Sequence, residues 1–201
     1  MSASIFMSTT IPDSPNKSAA RAGHLLGVVL SGGESRRMGC DKGLLQTNGR
    51  PWVLRMGDKL AGQHLPVVYS INPTQVSAYS ALLPTDSWVV DADEREGPLN
   101  GLLTVHRHYP GDDLLLVACD MQDLDAATLS RLIAAYGEGD AGFYAYEVEG
   151  VLQPLCAIYT AKALASASSA IAARSPQDLL HRGKLRRLSG AAAAFRNYNT
   201  L

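Results

Sequence analysis

The stretch Gly27-Val-Val-Leu-Ser-Gly-Gly-Glu-Ser-Arg-Arg-Met-Gly-Cys-Asp-Lys42 decides how the chain is read. It continues a short apolar run, residues 25–30 with one glycine, of the kind that forms a parallel strand buried on both faces. The run breaks at Ser31-Gly32-Gly33 into a loop with two adjacent arginines and a lysine. Paired glycines lack Cβ atoms, so the backbone can turn sharply and a ligand can approach the peptide N–H groups. Successive N–H groups in such a turn make a concave anion site. Arg36, Arg37 and Lys42 bring positive charge to the same edge of the sheet. Strand, glycine turn and cationic loop in that order point to a site for nucleotide phosphates.

Spacing excludes two other phosphate loops. A P-loop needs Gly-Lys-Ser/Thr together, whereas Lys42 lies nine positions beyond Gly33 and is followed by Gly43. The dinucleotide fingerprint Gly-x-Gly-x-x-Gly is not supplied by Gly32-Gly33 followed by Gly39. Taken alone, a Gly-Gly turn with two arginines reads equally well as a solvated basic turn. The longer stretch, however, resembles the signature Leu-Ala-Gly-Gly-x-Ser-x-Arg-Met-Gly-x-Asp-Lys of the MobA-like nucleotidyltransferases. Leu30, Gly32, Gly33, Ser35, Arg37, Met38, Gly39, Asp41 and Lys42 match it, and Ser31 replaces alanine, a small-for-small exchange.

At 201 residues the chain has the size of one domain with a substantial core. Residues 1–22 are rich in Ser, Thr, Pro and Ala and read as a flexible leader, with Met7 as an alternative start; residues 23–201 read as a single nucleotidyltransferase domain. The net charge of −1 argues against a sequence-independent nucleic-acid binder. No apolar run is long enough for a membrane helix, and the leader lacks the pattern of a secretory signal. Cys119 and Cys156 sit in apolar runs and read as core thiols of a reducing cytoplasm, with Cys40 in the loop. The five histidines show no paired spacing suited to a metal or a catalytic triad.

Beyond the loop, an Asn48-Gly49 turn precedes a helix over 52–60, with Pro51 in its first turn. Strands are expected at 66–71 and 88–91, separated by a helix over 74–82, and a further helix from Gly97-Pro98 to His108. Residues 114–120 form the clearest buried strand, and Asp125 opens the next helix. This alternation predicts a Rossmann-like three-layer α/β/α sandwich with a largely parallel sheet. From Ala141 the rhythm changes: strands over 142–149 and 155–159, joined by Gly150 and a Gln153-Pro154 bend, predict a small antiparallel addition. An alanine-rich helix over 161–173 and a capped helix after Ser175-Pro176 follow.

In open parallel sheets ligands sit outside the carboxyl ends of the strands. That rule gathers the Ser31–Gly33 turn, Asn72, Asp91 and Asp120 at one edge. A carboxylate placed directly after an apolar strand is costly to bury without a partner, which makes Asp120 a candidate metal ligand. The helix-capping alternative is better served by Asp123 or Asp125. The segment Ala118-Cys-Asp-Met-Gln-Asp-Leu124 is similar to the family's Pro-Cys-Asp-x-Pro-x-Leu metal motif, but Gln122 stands where a proline is expected, which bears on the stiffness of the loop and not on the ligand. Gly97-Pro98-Leu99-Asn100-Gly101 resembles the Gly-Pro-Leu-x-Gly segment associated with the nucleobase.

The resemblance implies transfer of GMP from GTP to the terminal phosphate of molybdopterin, with Mg²⁺ as cofactor. Arg37, Lys42 and Asp120 would be catalytic, and Asp120 would hold the metal. Leu30, Ser31, Gly32, Gly33, Lys42, Asn72, Asp91, Gly97, Pro98 and Asp120 would bind GTP. Gln153, Asn197 and Asn199 would face molybdopterin, although the two asparagines also suit simple turns. Gly32-Gly33 and Gly97-Pro98-Leu99 fall on the guanine side of the family, in contrast to its cytidylyl-transferring relatives. A cytidylyltransferase of the same cofactor, a sugar-1-phosphate nucleotidyltransferase and a non-catalytic molybdopterin carrier are the competing readings. Transient contacts with proteins that deliver the cofactor are expected; nucleic-acid and membrane partners are not.

Overall fold

The computed structural model describes residues 24–31, 41–91, 97–170, 173–196 and 198. Within them, side chains on the central strands alternate between two cores, as a period of two demands of a strand covered on both faces. In β1 (Leu25–Leu30), Leu26, Val28 and Leu30 face one core and Val29 the other. In β6 (Asp113–Ala118), Leu114 and Leu116 face the first core, Leu115 and Val117 the second. The first core is closed by α3 (Pro98–His108), α5 (Ala161–Ala170) and α6 (Pro176–Arg182), through residues such as Leu102, Leu164 and Leu179. The second is closed by α1 (Trp52–Ala61) and α4 (Ala126–Gly137), through Val53, Met56, Leu60, Leu129 and Leu132. The expected three-layer α/β/α sandwich results.

The remaining strands of the main sheet are β4 (Val67–Ile71), β5 (Trp88–Val90), β7 (Phe143–Val148), β8 (Val151–Tyr159) and β9 (Leu185–Ser189). Their order is β5-β4-β1-β6-β8-β7-β9. Only β8 runs against the others: it pairs antiparallel with both β6 and β7, while the remaining pairings are parallel. The chain therefore travels outward from β1 to β5 and then returns to the other side of β1 to lay down β6. That reversal is a topological switch point, and it opens a crevice beyond Leu30 and Ala118.

Local chemistry sets the details. Short β2 (Gln46–Thr47) and β3 (Arg50–Pro51) form a hairpin whose turn residues, Asn48 and Gly49, both have positive φ, at 53° and 74°. Pro51 ends β3 immediately before α1 and does not enter its first turn. The helix expected over 74–82 is shorter: a 3₁₀ turn at Pro73–Gln75 leads into a single helical turn, α2 (Val76–Tyr79). The bend expected at Gln153-Pro154 is replaced by extended chain. β7 and β8 are joined at Glu149-Gly150, and Gln153 and Pro154 lie inside β8, where the pairing with β7 shifts register between Ala145 and Glu147. A proline without an N–H is tolerated at such an irregularity. Among the described residues no helix is long and apolar enough to cross a membrane.

Candidate active site at the switch point

Lys42 and Asp120 meet at the crevice. The Lys42 Nζ lies 3.0 Å from Asp120 Oδ2, with side-chain exposures of 18% and 15%. Asp120 follows β6 at a turn, and Cys119 extends the strand pairing by donating its N–H to the Leu30 carbonyl. The carboxylate is thus carried to the end of β1, where Ser31 begins the glycine loop. Ser31 is buried and donates both its N–H and its hydroxyl to the Ser70 carbonyl, at 3.1 and 3.0 Å. Gly32, Gly33 and Arg37, like Asn197 and Asn199, lie outside the described residues.

Lys42 is held from behind by a buried polar cluster. Asp41 Oδ1 accepts from the Gly43 N–H, capping the 3₁₀ turn that contains Lys42, and from the Tyr79 hydroxyl. Gln75 Nε2 donates to Asp41 Oδ2 at 2.6 Å and to the Ser31 carbonyl at 3.2 Å, so one amide joins the two ends of the glycine loop. Gln75 is in turn fixed by a capping box with Asn72: Asn72 Oδ1 accepts from the Gln75 N–H, and Gln75 Oε1 accepts from the Asn72 N–H. With its oxygen so engaged, the Asn72 amide NH₂ is the end available to a ligand.

Asp91 closes the far side. It follows β5 and accepts from the Ser70 hydroxyl at 2.5 Å. Burial pushes its carboxyl up to about 6, and the Ser70 hydrogen bond pulls the other way. Gly97, with φ of 99°, precedes Pro98 at the start of α3. Gly101, one turn on, lets the helix approach closely: a Cβ there would lie 2.5 Å from Ser70 Oγ and 2.8 Å from Leu30 Cδ2. Leu30, Ser70, Asp91 and Gly101 therefore form one packed unit.

Of the residues singled out from sequence, Leu30, Ser31, Lys42, Asn72, Asp91, Gly97, Pro98 and Asp120 fall along this carboxyl edge. Gln153 lies in β8, where its amide donates to the Val151 carbonyl of its own strand. Ser70, Gln75 and Tyr79 were not foreseen. A polar residue inside the apolar run Val67–Ile71 and the Asn72-Pro-Thr-Gln75 capping pattern were signals for the first two. Cys119 and Cys156 are buried thiols, and burial pushes Cys156 up to about 12, so neither is poised as a nucleophile.

A separate concavity of about 480 Å³ meets the loop that carries Asp120 at Asp123. It lies beyond the carboxyl ends of β7 and β9 and is lined by Asp123, Thr128, Arg131, Tyr146, Ala194 and Arg196. Asp123 shares the Asp120 loop and accepts from the Tyr198 hydroxyl at 2.9 Å. Arg131 lies over the Tyr146 ring, 5.9 Å from its centroid.

The MobA-like NTP transferase domain matches residues 27–189, which contain every strand of the sheet except the first two residues of β1. The chain belongs to the MobA-like NTP transferase family. Among its relatives, a molybdenum cofactor biosynthesis bifunctional protein of Synechocystis is 38% identical over 142 residues, 70% of this chain and 40% of that protein. A molybdenum cofactor guanylyltransferase of Shewanella is 34% identical over 118 residues, 57% of each. The chain thus spans about half the length of these curated relatives or less. In fold it is similar to the molybdopterin-guanine dinucleotide biosynthesis protein A of Archaeoglobus fulgidus, with a TM-score of 0.67 over 81% of this chain and 82% of that one, at 20% identity.

Proposed function

We propose that this MobA-like protein is a molybdenum cofactor guanylyltransferase, moving GMP from GTP to the terminal phosphate of molybdopterin. The observation that carries the reading is the Lys42–Asp120 pair at the switch point, with Asn72 and Asp91 on the adjacent strand ends. The names of the relatives support the same acceptor.

In the proposed reaction an acceptor phosphate oxygen forms a bond to the GTP α-phosphorus. The bond from that phosphorus to the bridging oxygen breaks, and pyrophosphate leaves. The attacking oxygen is already ionised at neutral pH, so no strong general base is required. The work left to the chain is alignment and charge stabilisation. Lys42 and Arg37 offset charge on the α-phosphate and the leaving group. Asp91 in its ionised form accepts from the guanine N–H groups or the ribose hydroxyls, and Asn72 offers its amide NH₂. Gln153, Asn197 and Asn199 are assigned to the acceptor, and the cavity bordered by Asp123 offers room for it, with Arg131 and Arg196 balanced in charge by Asp123 and Asp125.

Asp120 supplies a hard oxygen donor beside a phosphate-binding loop, which suits Mg²⁺, an ion commonly held by one or two carboxylates together with substrate phosphates. Bound there, it would neutralise charge on the phosphoryl oxygens. The protein is assigned to the cytoplasm, with transient contacts to proteins that deliver the cofactor.

Purified protein with Mg²⁺, molybdopterin and α-labelled GTP should release pyrophosphate and label the pterin. Labelling with CTP in preference to GTP would reassign the base, labelling of hexose 1-phosphates would reassign the acceptor, and molybdopterin binding without turnover would leave a carrier.

A further inference from the structure

The geometry points to Gln122 as a positioning residue that holds the Asp120 carboxylate opposite Lys42, a role that rests on the proposed use of Asp120 in guanylyl transfer. The loop from Ala118 to Leu124 lacks the proline of the related motif, yet each of its five successive carbonyls from Ala118 to Gln122 has a donor. Two donors are local: the Met121 N–H reaches the Ala118 carbonyl and the Leu124 N–H the Met121 carbonyl, at 3.2 and 3.1 Å. Three involve side chains or distant chain. Gln122 Nε2 donates to the Cys119 carbonyl at 2.6 Å, the Tyr198 N–H to the Asp120 carbonyl at 3.5 Å, and Lys59 Nζ to the Gln122 carbonyl at 2.5 Å.

The Gln122 side chain ties this arrangement to the fold. Its Oε1 accepts from Arg55 Nε at 2.9 Å while its Nε2 donates to Cys119. The two bonds demand the same orientation of the amide, because a guanidinium only donates and a carbonyl only accepts. Arg55 and Lys59 lie one turn apart on α1, so a rigid helix presents two cations to one residue. Hydrogen bonds in which one partner is charged are the stronger kind. Met121 and Leu124, each 1% exposed, anchor the loop to the core below. The Asp120 carbonyl is held from outside the loop by Tyr198, the Cys119 carbonyl from within it by Gln122, which Arg55 holds in turn, and stiffness that a proline would give through φ comes here from a glutamine clamped to a helix.

The test compares the wild type with Gln122→Ala, Arg55→Ala and the double variant, by two readouts. Hydrogen exchange of the ligand-free protein over 118–124 should quicken about tenfold in Gln122→Ala, the scale of one lost hydrogen bond to a charged partner. The Mg²⁺ concentration for half-maximal guanylyl transfer should rise about tenfold as well, while KM for GTP at saturating Mg²⁺ stays within about twofold, since Gln122 is not assigned to the nucleotide. Arg55→Ala should show the same split at smaller size and serves if Gln122→Ala fails to fold. The double variant should be no worse than Gln122→Ala, because both changes cut one tether. Unchanged exchange and Mg²⁺ requirement in Gln122→Ala, or strictly additive effects, would overturn the inference. A wild type that transfers no GMP would instead refute the guanylyltransferase reading, and the exchange measurement would still judge the tether.

Discussion

Lys42 and Asp120 form an ion pair that is partly open to solvent, and magnitudes separate its two effects. A partly exposed pair contributes about 1 kcal/mol or less to stability, whereas losing one preorganised charge in a transfer reaction costs on the order of 100-fold or more in rate. Lys42→Ala and Asp120→Ala should therefore each lose at least about 100-fold in guanylyl transfer while melting within a few degrees of the wild type. Near-normal turnover in either would remove that residue from the mechanism. Asp91 makes a prediction of opposite character. Its carboxyl holds its proton up to about 6 in the folded protein, against 3.8 for the ordinary group. A group with a raised acid pKa binds more protons folded than unfolded between these values, so its contribution to stability falls as pH rises from about 4 to about 6. Asp91→Asn should flatten that slope in thermal melts. On the proposed role of the ionised Asp91 carboxylate as the acceptor, GTP affinity should weaken about tenfold per pH unit below 6, a dependence that calorimetric titration would find missing in the asparagine variant.

At the scale of elements, α3 is placed by what its first turns lack. Gly101 allows the helix to lie against Ser70 and Leu30. Gly101→Ala should displace α3 and cost about 1–3 kcal/mol, the usual scale for overpacking, with weakened GTP binding because Ser70 orients Asp91. Denaturant titration alongside GTP titration checks both, and an alanine variant of unchanged stability would show that the helix yields without cost. Most elements were legible where the local pattern was strong: β1, α1, α3 and β6 carry their own apolar periodicity. β9 was not. In Leu185-Arg-Arg-Leu-Ser189 the apolar residues are three apart, which does not alternate as a strand should. It is extended because the open edge of β7 offers a ladder, and because Arg186 and Arg187 find Glu138, Asp140 and Glu147 there. The Gln153-Pro154 bend failed for a related reason: proline signals a missing donor, and only the partner strands decide whether a donor was needed.

At the scale of the molecule, β6 carries both cores. Leu116 is fully buried on the face covered by α3 and α6, and Leu116→Ala should cost about 2–5 kcal/mol. Val151, 58% exposed at the β7–β8 turn, should change stability by less than about 0.5 kcal/mol on the same truncation. Equal effects in chemical denaturation would contradict the two-core description. The residues from Gly27 to Lys42 carried the resemblance that led to the family, and the apolar run ending at Asp120 with the alternation of strands and helices was enough to reach the fold class and a candidate site along the carboxyl edge, because strand periodicity and glycine chemistry act over a few neighbouring residues. The partners across that edge were decided only by the tertiary structure. Lys42 meets Asp120 across 78 positions, Gln75 reaches Asp41 across 34 and Arg55 holds Gln122 across 67. Such pairings depend on which strands the sheet sets side by side, and no local pattern records that order.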